Sequence, residues 1–468
     1  MKTLTYRVLF SKEIEGGYTA IVPSLPVCVV AGVSSHPTKF ILEVLLGDDF
    51  LLRFFAGFMI EDLVGCLARS DSLTQHSALL TITPRFITES KLARTYHQLT
   101  QLFKTAMKKL ATALTALTLS LGLLPISATA KDMKNVSFET VATLGSQFPP
   151  GNIAIVPSGR TFLSIHGFYG QPTKVVELLK SGSVRPYPNQ AWQSGSPSSI
   201  HSVLGVRGDK NGILWMLDTA SDTQSARLIG WDTKAEKLHQ VVYLSAPIST
   251  EDSFLNDIAI DTKHNFAYLA DTTKEGALVS VNLKTGEAKR QIAGSRFTQA
   301  ENIDLVIDGE ALTMGGAPVR LGADPITIST DFDTLYFGAL SGTKFYAVPT
   351  QALRDFNLSD EEIAAQVSVY GNKPISDGTT IDTEGNLYLG EMGKNAIGVT
   401  RPDGTYSRII QDPQIQWADG FAVGADGYMY ATLNQLQDSP PLNGGVDKST
   451  GEYHIIRFKP LAESVVGR

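Results

Sequence analysis

Short apolar strands and polar turns alternate through the C-terminal two thirds of the chain. Each copy of the pattern has an apolar strand, a turn rich in Asp, Gly and Asn, and a second apolar strand rich in aromatic residues. The second strands of the six copies begin at Phe162, Leu214, Ala267, Leu335, Leu387 and Met429, at steps of 52, 53, 68, 52 and 42 residues. The pattern therefore predicts an internally repeated, all-β protein.

Most copies continue into a third and a fourth strand, for example Ile397-Gly-Val-Thr400 and Ser407-Arg-Ile-Ile410. Four strands per repeat of about 40–50 residues are typical of a β-propeller, so six repeats predict six blades. The alternative is a β-sandwich, which six copies at comparable spacing disfavour. A propeller must close, and we expect the strand at 137–144 to complete the last blade beside His454–Phe458.

Residues 107–130 have the three-part layout of a secretory signal peptide. Lys108 and Lys109 precede an uncharged stretch from Leu110 to Leu124, and Ala128-Thr-Ala130 supplies the small residues of a cleavage site. The alternatives are a buried amphipathic helix or a membrane anchor, but a permanent span needs about 20 apolar residues. The sequence therefore predicts cleavage after Ala130, a secreted or periplasmic protein with no permanent membrane span, and a propeller over residues 131–468.

The 106 residues before Met107 have two explanations: translation starts at Met107, or an upstream fragment has been fused. Residues 1–33 read as two strands joined at Gly16-Gly17, and this hairpin resembles the opening hairpin of HicB-type antitoxins. From residue 40 onward no clear strand or helix period is visible. We expect residues 1–106 to be a non-globular or remnant segment outside the functional protein.

Charge and cysteine content support this division. Residues 1–130 hold 12 Lys and Arg against 9 Asp and Glu, whereas residues 131–468 hold 28 against 38. An acidic chain is not expected to bind nucleic acid. Both cysteines, Cys28 and Cys66, lie upstream. The predicted mature chain therefore needs no disulfide to fold.

Polar residues stand two positions before the predicted inner strands, where a propeller brings them to one mouth of its channel. These positions hold Gly151 and five polar residues, His201, Asn256, Asp324, Asp377 and Asp419, with Asp257 beside Asn256. Carboxylate and amide oxygens suit a hard cation such as Ca²⁺ or a ligand ammonium, to which Trp417 or Trp192 would offer an aromatic face. The alternative for Asp377 and Asp419, each followed by Gly, is a role in capping a turn.

Repeats three to six resemble the major royal jelly protein and yellow family in its bacterial form. The resemblance rests on stretches such as Phe254-Leu-Asn-Asp-Ile-Ala-Ile-Asp261 and Trp417-Ala-Asp-Gly-Phe421, covers nearly all of 136–460, and implies a secreted six-bladed propeller. The fold is shared more loosely with gluconolactonases and strictosidine-synthase-like enzymes. Asp377 matches the metal-binding Asp of those lactonases, but Pro325-Ile326 stands where their Asn would be, and the first repeat has no matching Glu.

Three functions remain open at this point. The first is binding of a small, cationic or aromatic ligand by His201, Asn256, Asp257, Asp324, Asp377, Trp417 and Asp419. The second is a lactonase-like hydrolase or isomerase with Ca²⁺ or another divalent cation on Asp377 and Asn256. The third is a scaffold that presents its loops to a protein partner. No Gly-x-Ser-x-Gly, His-Glu-x-x-His or P-loop pattern occurs, and the sequence leaves open whether the protein is an enzyme.

Overall fold

The computed structural model describes residues 136–193, 199–219 and 225–467 with their side chains, and the backbone of six strands between residues 4 and 82. The chain divides into two compact units, Met1–Ser127 and Ala128–Arg468. The expected signal peptide at 107–130 and its cleavage site lie outside the described residues. Among the residues described, no helix is long and apolar enough to cross a membrane.

The first unit contains short antiparallel strands. They are β1 (Leu4–Glu13), β2 (Gly17–Ile21), β3 (Ala31–Gly32), β4 (Leu42–Leu46), β5 (Phe50–Phe54) and β6 (His76–Ile82). Strand β1 pairs with β2 and β6, β2 pairs with β3, and β4 pairs with β5. The structure therefore has strands beyond residue 40, where the sequence shows no clear strand period.

The second unit begins with β7 (Phe138–Gly145) and continues into three four-stranded antiparallel sheets, blades 1 to 3. Blade 1 contains β8 (Pro150–Ile155), β9 (Thr161–Ile165), β10 (Val175–Leu178) and β11 (Val184–Pro186). Blade 2 contains β12 (Val203–Gly208), β13 (Ile213–Asp218), β14 (Ala226–Asp232) and β15 (Lys237–Leu244). Blade 3 contains β16 (Leu255–Asp261), β17 (Phe266–Asp271), β18 (Ala277–Asn282) and β19 (Ala288–Gln291).

Two small hairpins separate blade 3 from blade 4 and account for the long step of 68 residues. They consist of β20 (Val306–Ile307) with β21 (Glu310–Ala311), and β22 (Thr313–Met314) with β23 (Ala317–Pro318). Blade 4 contains β24 (Ala323–Ile328), β25 (Thr334–Ala339), β26 (Lys344–Pro349) and β27 (Ser368–Asn372). Blade 5 contains β28 (Thr379–Ile381), β29 (Leu387–Glu391), β30 (Ala396–Thr400) and β31 (Tyr406–Gln411). Blade 6 contains β32 (Ala418–Val423), β33 (Met429–Leu433) and β34 (Glu452–Phe458).

The ring closes as the sequence predicts. Strand β7 is the fourth strand of blade 6 and pairs antiparallel with β34, from Gly145 opposite Glu452 to Phe138 opposite Phe458. The six inner strands contact one another in the order β8, β12, β16, β24, β28, β32 and back to β8. The six-bladed β-propeller predicted from the repeats is therefore confirmed. Because one blade joins both ends of the ring, the channel walls depend on this pairing.

Helices are few and short within the described part of the propeller, residues 136–467. They comprise α1 (Gln190–Gln193), α2 (Thr350–Arg354), α3 (Asp360–Ala364) and the 3₁₀ turns Gly167–Tyr169, Met392–Lys394, Leu436–Asp438 and Pro440–Leu442. Helix α3 begins with a capping box in which Ser359 and Glu362 each bond the other's backbone N–H. The 3₁₀ turns follow the second strands of blades 1, 5 and 6, and they therefore lie at the end of the channel where the inner strands begin.

The blades are apolar on both faces, which explains strands with little alternation. Strands β13 and β17 are buried at every position because each blade packs between two others. At the far end of the blades, an aspartate fixes the turn between first and second strands. Asp382 accepts hydrogen bonds from the N–H groups of Glu384 and Asn386, both 3.0 Å, and from the Tyr388 hydroxyl at 2.8 Å. These aspartates are turn residues, as their sequence context indicates.

Candidate functional site

A bulge recurs where five of the inner strands begin. The pairing of first and second strands slips by one residue between Pro150 and Ile153, Val203 and Val206, Leu255 and Ile258, Ala323 and Ile326, and Ala418 and Phe421. In blade 5 the regular strand starts directly after the matching pair, Asp377-Gly378. A bulge sets two successive residues against one on the partner strand and re-aims their side chains. This repeated irregularity gathers polar groups at one mouth of the channel.

Four carboxyl groups from four consecutive blades form the centre of the site. They belong to Asp257, Asp324, Asp377 and Asp419, which are 3%, 1%, 6% and 8% exposed. Burial raises the pKa of Asp257 to about 7 and that of Asp377 to about 6. Burial and repulsion between these carboxylates raise the pKa values of Asp324 and Asp419 well above the ordinary value. The four groups therefore interact as one unit, called the carboxylate cluster below.

Each carboxylate accepts one neutral side-chain donor. The side-chain nitrogens of Asn152, Asn256 and Asn434 donate to Asp257, Asp324 and Asp419 at 2.5, 2.9 and 2.7 Å. The indole N–H of Trp417 donates to Asp377 at 2.7 Å. The Oδ2 atoms of Asp257 and Asp324 are buried and have no hydrogen-bond partner. Two carboxylate oxygens are thus left without a donor, which is costly at a buried position.

Two buried cations lie next to the carboxylate cluster. The Lys373 ammonium donates to the Pro374 carbonyl and the Ser376 hydroxyl, both at 3.1 Å, and burial lowers its pKa to about 7 against the attraction of Asp324. The Arg207 guanidinium donates to the carbonyls of Ile258 and Phe421 at 3.2 and 3.0 Å. Its side chain therefore crosses the channel from blade 2 to blade 6. With every group ionised, four carboxylates against two cations leave a net charge of −2.

Glycine beside the acidic residues lets the inner strands approach one another. A Cβ on Gly378 would lie 2.2 Å from the carbonyl oxygen of Asp419, and one on Gly420 would lie 2.6 Å from the Cα of Asn152. Such distances exclude any side chain at these two positions. In Asp377-Gly378 and Asp419-Gly420, the glycine serves the close approach of neighbouring blades. The aspartate side chains bond Trp417 and Asn434 rather than capping a turn of their own.

The structure does not bring every expected residue to the site. His201 is exposed and lies outside the bulge, because Leu204 is the residue of blade 2 in register with Asn256, Asp324 and Asp419. Gly151 holds the corresponding place in blade 1, and its neighbour Asn152 carries the polar side chain. Trp192 packs edge-on against Trp231 with the ring centroids 5.4 Å apart, so it belongs to an apolar cluster between blades.

Trp417 is at the site, but in a different role from the one expected. Trp417 is 3% exposed, and its ring presents the N–H edge to Asp377. The backbone of Trp417 has φ of 50°, a left-handed conformation that is unusual for a bulky residue. Such strain persists only where surrounding contacts fix it, and it is concentrated at functional sites. Trp417 therefore positions a carboxylate.

Sequence reasoning missed Asn152, Arg207, Lys373 and Asn434. Arg207 had a visible signal, since it is a charged residue in an otherwise apolar inner strand. Asn152 precedes Ile153 as Asp257 precedes Ile258, a correspondence that an alignment of the repeats shows. Lys373 and Asn434 lie outside the repeated pattern. Among the described residues, no three His, Cys, Asp or Glu side chains are grouped so that they could hold a metal ion.

Comparison with known proteins identifies a family. Residues 201–457 match the family model described as Major royal jelly protein. Protein yellow of Drosophila erecta is 24% identical over 250 residues, covering 49% of this chain and 46% of that protein. Protein yellow of Drosophila madeirensis is 24% identical over 273 residues, covering 54% and 46%. The chain thus spans about half the length of the curated relatives it matches.

Solved structures resemble the chain at low sequence identity and low TM-score. A gluconolactonase from Xanthomonas campestris is 12% identical with a TM-score of 0.45, and the match covers 70% of this chain and 90% of that one. The calcium-binding protein regucalcin from Agrobacterium tumefaciens is 15% identical with a TM-score of 0.44, covering 70% and 98%. These similarities concern the fold alone.

Proposed function

Since the chain belongs to the major royal jelly protein family, we propose that it binds a small cationic molecule at the mouth of its propeller channel. We further propose that it works outside the cytoplasm as the 131–468 propeller, after cleavage of the signal peptide at 107–130. Mass spectrometry of the native protein tests the export proposal: an N-terminus near Lys131 is expected, and abundant peptides from residues 1–100 would contradict it.

One observation carries the binding proposal: the buried Oδ2 atoms of Asp257 and Asp324 have no donor. Both belong to a carboxylate cluster whose four carboxyl groups outnumber the two nearby cations, Lys373 and Arg207. An ammonium group brings both missing elements, a positive charge and N–H donors, and charge-assisted hydrogen bonds are the strong ones. The site offers it buried carboxylate acceptors held in place by Asn152 and Asn256. The expected ligand is therefore a primary or secondary amine.

Isothermal titration calorimetry of the full chain tests this proposal with three matched probes: 2-phenylethylammonium, its N,N,N-trimethyl analogue and 2-phenylethanol. We expect the primary ammonium to bind, the trimethyl analogue to bind more weakly because it has no N–H, and the alcohol not to bind. Asp324→Asn should weaken ammonium binding about tenfold or more, since a hydrogen bond to a charged group is lost. Asp403→Asn, an exposed turn residue, is the control.

Binding of the alcohol as tightly as the ammonium would contradict the proposal. So would unchanged affinity in both Asp324→Asn and Asp257→Asn.

A metal-dependent hydrolase or isomerase is the second candidate, favoured by the oxygen-rich character of the cluster. The described residues do not fit it as they stand, because no three potential ligands, the cluster carboxylates included, are arranged so that they could hold a metal ion, and Asn256 directs its side-chain nitrogen at Asp324. Metal analysis of the purified protein separates the two candidates. Stoichiometric Ca²⁺ or Zn²⁺ that is lost in Asp377→Ala would favour the enzyme.

A further inference from the structure

The carboxylate cluster is closed off at both ends of the channel. At the far end, residues 459–467 run beneath the blades, and Val465 and Gly467 line a small cavity with Arg207, Thr380 and Val423. Both the N–H and the hydroxyl of Thr383 donate to the Glu463 carbonyl, at 2.8 and 3.0 Å. The Leu461 N–H donates to the Tyr388 hydroxyl at 2.6 Å. This end is therefore held shut by directional bonds.

At the near end, residues 302–320 form a roof over the channel mouth. The roof, which contains both hairpins β20–β21 and β22–β23, leaves the propeller between blades 3 and 4. Strand β20 contacts the Met392–Lys394 turn of blade 5, and β22 contacts the Pro440–Leu442 turn of blade 6. Leu305, Ile307 and Val319 are buried in the same apolar cluster as Trp417, the residue that bonds Asp377. The roof thus lies across the carboxylate end.

Among the residues that the structure describes, backbone hydrogen bonds join the roof to the blades only at its two ends. Glu301 N–H donates to the Ser341 carbonyl at 2.8 Å, and Ser341 N–H donates to the Leu321 carbonyl at 2.9 Å. Between these points, in the part of the chain that the structure describes, no backbone hydrogen bond joins residues 302–320 to a blade. The ion pair of Arg320 with Asp304 is internal to the roof. Within the described part of the chain, apolar contacts hold the middle of the roof against the blades, and such contacts are non-directional.

We propose that residues 302–320 are a hinged lid that opens to admit the ligand to the carboxylate cluster and closes over it. The far end is held by hydrogen bonds and the near end by apolar contacts, so the near end is the route of entry. The buried side chains of Leu305, Ile307 and Val319 stabilise the closed position of the lid. The hinges lie where the lid meets Ser341 and the start of blade 4. The lid itself needs no assumption about the ligand, but its role in admitting an amine rests on the proposed function.

Adjacent residues of β20 supply a matched pair of variants. Ile307 is 6% exposed and faces inward, whereas Val306 is 46% exposed on the outer side of the same strand. Ile307→Ser should favour the open lid about tenfold, as expected from the loss of one buried apolar side chain of this size. Val306→Ser should leave the lid closed. Neither residue belongs to the carboxylate cluster.

Carboxyl footprinting of the full chain measures opening without a ligand: a water-soluble carbodiimide and glycine ethyl ester label accessible carboxyl groups, and mass spectrometry gives the rate at each. We expect labelling of Asp324 and Asp257 to accelerate about tenfold in Ile307→Ser and to stay unchanged in Val306→Ser. Asp382, 1% exposed at the opposite end of the blades, reports global unfolding and should label slowly in all three proteins.

Three outcomes would overturn the lid: no acceleration in Ile307→Ser, equal acceleration in Val306→Ser, or acceleration of Asp382 together with Asp324. Stopped-flow binding of 2-phenylethylammonium then separates the two proposals. A faster association rate in Ile307→Ser supports both. Faster labelling in Ile307→Ser without any binding of the amine would support the lid and contradict the proposed ligand. Binding of the amine with the same labelling rate in Ile307→Ser and the wild type would support the ligand and contradict the lid.

Discussion

Replacing Asp257 by Asn gives a quantitative test of the electrostatics of the carboxylate cluster. Burial raises the pKa of Asp257 from 3.8 to about 7, with further repulsion from Asp377 and against the attraction of Arg207. One pKa unit corresponds to about 1.36 kcal/mol. The ionised side chain therefore destabilises the folded protein by on the order of 4 kcal/mol above pH 7. The amide of Asp257→Asn keeps an oxygen for Asn152 and removes the charge.

The sign of the pH dependence follows from the two pKa values. Between about pH 4 and pH 7 the folded protein keeps a proton on Asp257 that the unfolded chain has released. The free energy of unfolding of the wild type therefore falls as the pH rises through this range and levels off above it. In Asp257→Asn this part of the slope is absent. Wild type and variant should be similar below pH 4, and the variant should be more stable at pH 8 by roughly 2–4 kcal/mol.

Urea denaturation followed by circular dichroism at pH 4, 6 and 8 measures the difference. Asp252→Asn, exposed in a turn, is the control and should match the wild type at every pH. If Asp257→Asn were less stable than the wild type at pH 8, or differed from it equally at all three pH values, Asp257 would not carry an uncompensated charge. The stabilised variant should also bind 2-phenylethylammonium more weakly, the exchange of stability for function expected of a binding site.

Three further substitutions test the packing and charge around the site, each by urea denaturation. Lys373→Met removes the cation beside Asp324 and should cost about 1–3 kcal/mol at pH 7, because the hydrogen bonds of the ammonium to Ser376 and the Pro374 carbonyl and its attraction for the cluster are lost while Arg207 remains; an unchanged midpoint would contradict the electrostatic role of Lys373. Gly420→Ala places a Cβ 2.6 Å from the Asn152 Cα and should cost roughly 1–3 kcal/mol, whereas Gly145→Ala, with nothing within 4 Å, should be close to neutral; equal effects would refute the close-approach argument. Asp382→Ala should cost about 3 kcal/mol by removing the acceptor of the buried Tyr388 hydroxyl and two turn N–H groups, and Tyr388→Phe should restore part of the loss when combined with it.

The repeat pattern determined the architecture of this protein. Apolar strands such as β13 and β17 are buried along their whole length, so their hydrophobicity marks them in the sequence. The closing strand β7 was predictable for the same reason, since a ring of six blades lacks one strand until residues 138–145 supply it. Asp324, Asp377 and Asp419 were identifiable because they occupy one position of a repeat, and a repeated position in a propeller is a repeated place around the axis.

Register and long-range contact were decided only by the tertiary structure. Leu204, not His201, corresponds to Asp324 because the bulge in β12 starts after Val203, and a bulge is defined by pairing with another strand. Lys373 and Arg207 reach the carboxylate cluster from outside the repeated positions. Residues 302–320 account for the long step of 68 residues, but their place across the channel mouth is visible only in the tertiary structure. Local patterns in a sequence report which residues are buried, whereas the partners they meet depend on how the whole ring closes.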